Sequence, residues 1–188
     1  MICLHYYDTI AFSYFFYNPT STHKLSPLTS TEVIPAISFF SIEEFLHANM
    51  KNGATNWNNP KVYYKLWQDL ETFRVYFDLI TDIPLKEIDA NFSRLLSRII
   101  NYAKETNLDY DDLYRTRKIP EMMDLVHLAV ADMAGAIFFI TADVKFDFIG
   151  EIPELPFKNL SVIIVLDRTN DFKEKKRICI QHATGSQL

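Results

Sequence analysis

Cysteine and glycine are scarce in this sequence, and the scarcity of each excludes a class of protein. The 188 residues include only 2 cysteines, Cys3 and Cys179, which lie far apart and form no CxxC pair. They provide neither a zinc site nor a disulfide framework, although a single bridge between them stays compatible with the sequence. We therefore expect a reduced, cytoplasmic protein. With 4 glycines and a hydrophobic content of 48%, the composition is also neither fibrous nor disordered.

The sequence also lacks an apolar run long enough to cross a membrane. The longest run near its centre, residues 134–140, is much shorter than the roughly 20 residues that a membrane-spanning helix needs. The N-terminal segment is apolar but has no basic region, and His5 and Asp8 interrupt it, so we predict neither a signal peptide nor a membrane partner. The net charge of −5 argues against a general attraction to nucleic acid, although not against a local basic groove.

Helix-like and strand-like apolar patterns alternate along the chain. Strands are predicted at residues 2–7, 34–40, 75–80, 137–140 and 160–166, and helices at 41–52, 61–74, 85–105 and 120–134. Two assignments stay open, since residues 10–17 fit a short helix or an extended arm and residues 178–181 fit one more strand. Strands that alternate with helices predict an α/β fold in which helices cover both faces of a mainly parallel sheet.

We predict one domain over residues 1–168 and a charged C-terminal tail over residues 169–188. A chain of this length can bury a core of ordinary size. Residues 18–35 are rich in Ser, Thr and Pro, and they are predicted to form a long polar loop inserted in the domain.

Four acidic residues are predicted to meet at one edge of this sheet. Asp8 follows the first predicted strand, and Glu44 lies in the first turn of the helix after the second strand. Asp124 begins the helix that leads to strand 137–140, and Asp143 follows that strand. The carboxyl ends of parallel strands lie at the same edge of a sheet, and sites in such folds form there.

A group of four carboxylates needs a counter-charge, because close carboxylates repel one another and raise one another's pKa. Oxygen ligands suit Mg²⁺ or Mn²⁺, and two such ions roughly 3.5–4 Å apart can hydrolyse a phosphodiester. No Gly-rich phosphate loop and no GxSxG motif favours another chemistry. The residues therefore indicate metal-dependent phosphodiester hydrolysis, in which Thr141 either orients a bound water or simply ends its strand.

Three of these acids have a structural explanation that the sequence leaves open. Asp8 can be a turn residue that ends a strand. Asp124 can stabilise a helix N-terminus through its charge. Asp143 can be an ordinary loop acid, with Asp147 as a rival ligand.

Among the four acids, Glu44 has the strongest structural explanation as an alternative to metal binding. Ser41 and Glu44 form a capping-box pattern that explains this glutamate without a metal, and Glu43 is an alternative ligand. His127 lies one turn after Asp124 and is predicted to be a packed, hydrogen-bonded residue rather than a catalytic base.

Four blocks of the sequence resemble the PIN-domain nucleases, a family that includes the VapC-like ribonucleases. The blocks are YYDT at residues 6–9, ISFFSIEEF at 37–45, DLVHLAVA at 124–131 and TADVKF at 141–146. They follow the order of the family over about residues 2–166 and imply a three-layer αβα fold with about five strands. The residues that match the family's catalytic site are Asp8, Glu44, Asp124, Asp143 and Thr141, and the four acids among them match its metal ligands.

The resemblance also implies an activity and partners. Such proteins are endonucleases that cut single-stranded RNA, and many are toxins of VapC-type toxin–antitoxin pairs, often dimeric and inhibited by an antitoxin peptide. We expect a Mg²⁺- or Mn²⁺-dependent endoribonuclease that forms a homo-oligomer and pairs with an antitoxin protein. Arg115, Arg117 and Lys118 are predicted to bind RNA because they just precede Asp124, although they also fit a solvated charged surface.

Two other functions stay open at this point. One is a catalytically weak PIN-like scaffold that binds RNA or a partner protein. The other is a metal-dependent phosphohydrolase that acts on small nucleotides. Cleavage assays with RNA oligomers and with mononucleotides distinguish the three possibilities.

Overall fold

The structure is a computed structural model that describes residues 3–18, 33–51, 60–116 and 118–182. Its strands are β1 (Cys3–Tyr7), β2 (Val33–Ser38), β3 (Asp78–Ile80), β4 (Phe138–Thr141), β5 (Val162–Asp167) and β6 (Lys173–Cys179). Its α-helices are α1 (Thr9–Tyr17), α2 (Phe39–Lys51), α3 (Pro60–Phe73), α4 (Leu85–Glu105), α5 (Tyr110–Arg115) and α6 (Met122–Met133). Two 3₁₀ segments, Arg74–Tyr76 and Val144–Glu151, precede β3 and follow β4.

The six strands form one sheet in the order β3-β2-β1-β4-β5-β6. The first five strands in this order are parallel, and β6 pairs antiparallel with β5. This arrangement confirms the predicted α/β fold with a mainly parallel sheet. The strand order reverses between β1 and β4, which is the point at which open α/β sheets form their sites, beyond the carboxyl ends of the strands.

Apolar side chains cover both faces of the sheet, and the fold is therefore a three-layer αβα sandwich. Successive strand residues face opposite sides, so Tyr6 and Phe139 belong to one core whereas Tyr7 and Ile140 belong to the other. The helical members of the first core include Leu95 and Ile99 of α4 and Leu125 and Leu128 of α6. Those of the second core include Phe12 and Phe15 of α1, Phe45 and Leu46 of α2 and Leu70 of α3.

Several predicted boundaries move in the structure. Residues 10–17 belong to the helix α1, which resolves the alternative that the sequence left open. Strand β2 begins at Val33, so the end of the predicted loop 18–35 is strand, and residues 19–32 lie outside the described residues. Strand β3 has only three residues, because Arg74–Tyr76 form a 3₁₀ turn in which Val75 is 78% exposed and has no core to enter.

The N-terminus of α2 corrects the predicted capping box. The helix begins at Phe39, so Ser38 rather than Ser41 precedes it, and the Ser41 N–H donates to Ser38 Oγ at 3.4 Å. The Ser41 hydroxyl lies buried, 3.2 Å from the hydroxyl of Tyr6. Phe39 is apolar and so extends the strand-like pattern of the residues before it, although it is 59% exposed. The predicted strand therefore ran on to residue 40, and the predicted helix started too late. Glu44 consequently lies in the second turn of α2, where a capping box does not explain it.

The segment between residues 120 and 141 forms the predicted helix, turn and strand. Gly135 follows α6 with a φ of +80°, and its N–H donates to the carbonyl of Asp132 at 3.1 Å, so it ends the helix as predicted. The helix begins at Met122, and Pro120 therefore lies before the first turn rather than in it. Glu121 takes the position directly before the helix.

Asp132, near the end of α6, binds the backbone that leads into β5. Its Oδ1 accepts the N–H groups of Lys158 at 2.9 Å, Asn159 at 2.7 Å and Leu160 at 2.9 Å. The side chain is only 2% exposed. No role for Asp132 follows from the sequence, because all three donors lie more than 25 residues further along the chain.

Strand β6 forms inside the segment that was predicted as a charged tail. It spans Lys173–Cys179, whereas the sequence suggested a strand at residues 178–181. Ile178 enters the core, and Lys176 Nζ lies 2.9 Å from Asp147 Oδ2. The exposed basic residues of this strand are Lys173, Lys175, Lys176 and Arg177.

Both cysteines are free thiols in the structure. Cys3 is buried in β1 and Cys179 is exposed at the end of β6, so the bridge that the sequence left open is not formed. Within the four described ranges, no helix combines the length and the apolar character that crossing a bilayer requires.

Gly150 allows the 3₁₀ segment after β4 to lie directly against β6. A Cβ atom at this position would stand 2.4 Å from Cγ2 of Ile178, a side chain that is only 6% exposed. We expect Gly150→Ala to lower the free energy of unfolding by about 1–3 kcal/mol, because a packed branched side chain cannot move aside cheaply. Urea denaturation measures this change. In an Ile178→Ala background the clashing atom is gone, and an undiminished cost of Gly150→Ala there would contradict the explanation.

Candidate active site

Asp8 lies at the carboxyl end of β1 and caps the helix that follows. Its Oδ1 accepts the N–H of Ala11 at 2.8 Å, and its Oδ2 accepts a hydrogen bond from Thr141 Oγ1 at 2.5 Å. The side chain is 3% exposed, and this burial raises its pKa to about 7 against the opposing effect of the two hydrogen bonds. Repulsion from Asp124 raises it further. Asp8 therefore ends its strand and also places a buried carboxyl group at the sheet edge.

Thr141, the last residue of β4, connects two of the predicted acids. Its hydroxyl donates to Asp8 and accepts the N–H of Asp143 at 2.9 Å. The Asp143 Oδ1 in turn accepts the N–H of Lys145 at 2.9 Å and caps the 3₁₀ segment that follows. Because Thr141 is fully buried, its contacts orient Asp8 and the turn after β4.

Glu44 projects from α2, and its carboxylate is held from two sides. Its Oε2 accepts a hydrogen bond from Thr9 Oγ1 at 2.5 Å and lies 2.9 Å from His127 Nε2. Burial favours the neutral acid, but the hydrogen bonds from His127 and Thr9 outweigh it and keep the pKa of Glu44 below its ordinary value. The neighbouring Glu43 is exposed, so these contacts favour Glu44 as the ordered carboxylate of the pair.

His127 is only 1% exposed and is hydrogen-bonded through both ring nitrogens. Nε2 faces Glu44, and Nδ1 lies 2.6 Å from the hydroxyl of Tyr6. The same hydroxyl lies 2.7 Å from Ser38 Oγ and 3.2 Å from Ser41 Oγ. The structure thus agrees with the interpretation of His127 as a packed, hydrogen-bonded residue.

Asp124 stands in the first turn of α6 and performs the structural role that the sequence left open. Its Oδ2 accepts the N–H of Glu121 at 2.7 Å. Burial raises the pKa of Asp124 to about 6, and repulsion from Asp143 raises it as well. The hydrogen bond from Glu121 acts in the opposite direction and lowers the pKa. Capping does not remove the side chain from the candidate site, since it faces the same cleft as Asp8 and Glu44.

Three of the four predicted acids line one cleft of about 640 Å³ at the carboxyl edge of the sheet. These three are Asp8, Glu44 and Asp124. Asp143 lines a neighbouring cleft of about 350 Å³ beside the end of β5, although it is near enough to raise the pKa of Asp124. The structure therefore brings all four acids to the same edge but distributes them over two adjoining clefts.

Lys145 provides positive charge beside these acids. Its Nζ lies 3.1 Å from Glu121 Oε1 and 3.5 Å from Asp143 Oδ2. Partial burial disfavours the ammonium form, but Glu121, Asp143 and Asp124 outweigh this effect and raise the pKa of Lys145. Lys145 is therefore a fixed cation on the side of the site where Asp143 lies.

The acids are not arranged as a complete metal site. Within the described residues, no group of three or more His, Cys, Asp or Glu side chains is placed to hold a metal ion. Their oxygens accept internal hydrogen bonds instead: Asp8 accepts one from Thr141, Asp124 from the Glu121 N–H, and Glu44 from Thr9.

Two of the three cations that were predicted to bind RNA lie on the surface before α6. Arg115 and Lys118 are exposed, and Arg117 lies outside the described residues. Arg115 Nε donates to the carbonyl of Asp111 at 3.2 Å. Neither Arg115 nor Lys118 lines the cleft that Asp8 occupies, so their contact with RNA remains a prediction.

Three side chains that hold the site together were not predicted from the sequence, namely Tyr6, Thr9 and Lys145. Thr9 had a signal, because it directly follows Asp8 in the YYDT block. Tyr6 had none, since an aromatic residue in an apolar strand predicts core packing. Its hydrogen-bond partner His127 is 121 residues away in the chain.

Comparison with known proteins shows similarity at the level of structure. By sequence, the chain matches no protein-family model and no curated protein. Its fold is similar to that of VapBC2 from Rickettsia felis, a structure solved bound to a DNA fragment from its promoter. The TM-score is 0.54 at 17% sequence identity, and the match covers 87% of this chain and 99% of that chain. It is also similar to VapBC-1 from nontypeable Haemophilus influenzae, with a TM-score of 0.51, 16% identity and coverage of 79% and 94%. The chain therefore has the fold of these VapBC proteins, in agreement with its PIN-like sequence blocks.

Proposed function

We propose that this protein is a divalent-metal-dependent endoribonuclease that hydrolyses phosphodiester bonds of single-stranded RNA. The observation that carries the proposal is the buried carboxyl group of Asp8, which shares a cleft with Glu44 and Asp124. Burial raises the pKa values of Asp8 and Asp124, and repulsion adds to this, from Asp124 on Asp8 and from Asp143 on Asp124. A bound cation relieves this electrostatic conflict, and a fold shared with VapBC proteins supports the same chemistry.

The chemistry of the donor groups fits Mg²⁺ or Mn²⁺. Carboxylate oxygens are the ligands that these hard cations prefer. Asp8, Glu44 and Asp124 would hold the cation, and Asp143 would join them from the neighbouring cleft. Bound there, a divalent ion supplies positive charge that stabilises a phosphodiester during its hydrolysis.

The remaining residues of the site keep these carboxylates in place. Thr141 fixes Asp8, while Thr9 and His127 fix Glu44. Each of these partners stands on a strand end or a helix, which positions a side chain more accurately than a loop does. The protein would therefore orient the ligands, and an extended strand of RNA would enter the cleft beside them.

The proposal includes partners that the family resemblance implies. Arg115, Arg117 and Lys118 would contact phosphates of the RNA, since phosphate contacts by cations dominate affinity for nucleic acids. The protein would form a homo-oligomer in the cytoplasm and would act as the toxin of a toxin–antitoxin pair, inhibited by an antitoxin protein.

One observation favours a second candidate, a catalytically weak PIN-like scaffold that binds RNA or a partner protein. Across the described residues, no three acidic, His or Cys side chains are grouped closely enough to hold an ion. In a scaffold, the hydrogen bonds that Thr141 donates to Asp8 and that Thr9 donates to Glu44 would be purely structural.

Cleavage of a labelled single-stranded RNA with Mn²⁺ or with EDTA tests the proposal. We expect the wild type to cut only with Mn²⁺ and Asp124→Asn to lose about 10²–10³-fold in rate, because a charge that stabilises the reaction is removed. The asparagine can still accept the N–H of Glu121, so the cap of α6 is kept. Asp111→Asn is the matched control, since Asp111 is an exposed acid in the first turn of α5.

Two outcomes would contradict the nuclease. Cutting that survives both EDTA and Asp124→Asn would mean a different chemistry from the one assigned to these acids. RNA binding by a wild type that never cuts, with either ion and with several RNA sequences, would favour the scaffold.

A further inference from the structure

A buried chain of hydrogen bonds connects the central strand of the sheet with Glu44. It runs from Ser38 and Ser41 to the Tyr6 hydroxyl, from there to His127 Nδ1, and from His127 Nε2 to Glu44 Oε2. The first four residues are each at most 1% exposed. The chain thus ends on a carboxylate that lines the cleft, while its other members are sealed in the core.

The available donors and acceptors give this chain one direction. An ionised carboxylate can only accept hydrogen bonds, so His127 Nε2 must carry the proton that is donated to Glu44. In a neutral imidazole the other nitrogen is then an acceptor. Nδ1 therefore needs a donor at 2.6 Å, and the hydroxyl of Tyr6 is the group that stands there.

Tyr6 can supply that proton because its own oxygen is satisfied from the other side. The Tyr6 side chain is 0% exposed, and such burial favours the neutral phenol, which carries a proton, over a charged phenolate. The hydroxyls of Ser38 and Ser41, at 2.7 Å and 3.2 Å, can both donate to the phenol oxygen. The phenol proton is then donated to His127, and each side chain from Ser38 and Ser41 to Glu44 in this series has a hydrogen-bond partner.

We propose that Tyr6 is a positioning residue that acts through His127: its hydroxyl holds the imidazole in the Nε2–H tautomer, which fixes the Glu44 carboxylate for a divalent cation. The part that concerns the cation rests on the proposed function. Groups that orient a ligand from behind typically change metal affinity by about 10- to 100-fold when they are removed. Tyr6→Phe deletes one oxygen atom and leaves the ring in place, so it isolates this contribution.

The tautomer is tested directly by long-range ¹H–¹⁵N NMR of the histidine rings in the metal-free protein at neutral pH. We expect one ring of the wild type to show a protonated Nε2 and a hydrogen-bonded, unprotonated Nδ1. In Tyr6→Phe, the Nδ1 resonance of this ring should move toward that of an unbonded nitrogen. A wild-type ring of His127 that is protonated at Nδ1 would overturn the proposal.

The effect on the cation is tested by titrating Mn²⁺ into the full chain and following free Mn²⁺ by EPR. We expect Tyr6→Phe to weaken Mn²⁺ binding by about tenfold. Tyr7→Phe is the matched control, because Tyr7 is equally buried on β1 but belongs to the core on the opposite face. A loss of affinity in both variants would indicate a general structural effect and would overturn the proposal.

A double-variant comparison separates positioning from packing. The amide of His127→Gln can donate to Glu44 without any choice of tautomer, so in this background Tyr6 has no tautomer left to select. Adding Tyr6→Phe to it should then have no further effect, whereas a repeated tenfold loss would show that Tyr6 does not act through His127.

The outcomes distinguish this inference from the proposed function. Mn²⁺ binding by the wild type with unchanged affinity in Tyr6→Phe would overturn the role of Tyr6 and leave the nuclease standing. A wild type that binds no Mn²⁺ would overturn the proposed function, and with it the role of Tyr6 toward the cation.

Discussion

Asp8→Asn is expected to stabilise the metal-free protein while it abolishes RNA cleavage. The pKa of Asp8 is about 7 in the folded protein, against an ordinary value of 3.8. Between these values the folded state keeps a proton that the unfolded state has released, so stability falls as the pH rises from about 4 to 7. Asparagine has no proton to lose, and at pH 8 in EDTA the variant should be roughly 2–4 kcal/mol more stable than the wild type.

Urea denaturation in EDTA at pH 5 and at pH 8 measures this effect. The difference in the free energy of unfolding between Asp8→Asn and the wild type should be small at pH 5 and largest at pH 8. The variant still contains Asp124, with a pKa of about 6, so its own stability should also fall with rising pH, but less steeply. Asp89→Asn is the control, since Asp89 is an exposed acid of α4. Parallel losses of stability in Asp8→Asn and the wild type would refute the explanation.

Added Mn²⁺ should reverse the order of stability that EDTA reveals. A ligand that binds only the folded state stabilises it in proportion to the logarithm of its concentration above Kd. The wild type should therefore gain stability with Mn²⁺, whereas Asp8→Asn, having lost a proposed ligand, should gain little. Cleavage by the variant should fall by about a thousandfold or more.

Asp132→Ala is expected to be the most destabilising substitution of a polar residue outside the site. It removes one oxygen that accepts the N–H groups of Lys158, Asn159 and Leu160. A buried donor left without a partner costs about 1–3 kcal/mol, and the Leu160 N–H is fully buried. Since the other two N–H groups can reach water in part, we expect a total loss of about 3–5 kcal/mol.

Asp132→Asn is the matched variant for this prediction. Its amide oxygen can still accept the same three N–H groups, so the loss should be about 1–2 kcal/mol, as charged acceptors are stronger than neutral ones. Hydrogen exchange at Leu160 should accelerate in the alanine variant and much less in the asparagine variant. Equal losses in the two variants would mean that the oxygen is not what stabilises this loop.

Local patterns predicted the elements whose partners are close in the chain. The long helix predicted over residues 85–105 forms as α4. Its apolar residues recur at helical spacing on one side, and this pattern is visible without knowledge of the surface on which they pack. The end of β2 was misplaced because Phe39 is apolar yet exposed. Strand β6 was placed too late, because its charged residues are ordered by pairing with β5, which no local pattern encodes.

The candidate site shows the same limit. Element order alone grouped the acids at the carboxyl edge, and Asp8, Glu44 and Asp124 do share a cleft. Their separation from Asp143 depends on how the segment after β4 turns, and the sequence did not reveal this. The contact between Tyr6 and His127 joins positions that only the folded sheet brings together. The roles of these residues in metal binding and catalysis stay predictions.

The two outer strands of the sheet differ in a way that bears on aggregation. A sheet edge exposes unpaired backbone groups, and a long, flat, apolar edge can recruit strands from other molecules. Here β6 ends the sheet on one side, and its basic residues Lys173, Lys175, Lys176 and Arg177 are exposed. On the other side, β3 offers only three residues. Charge at one edge and brevity at the other therefore disfavour edge-to-edge pairing of two sheets.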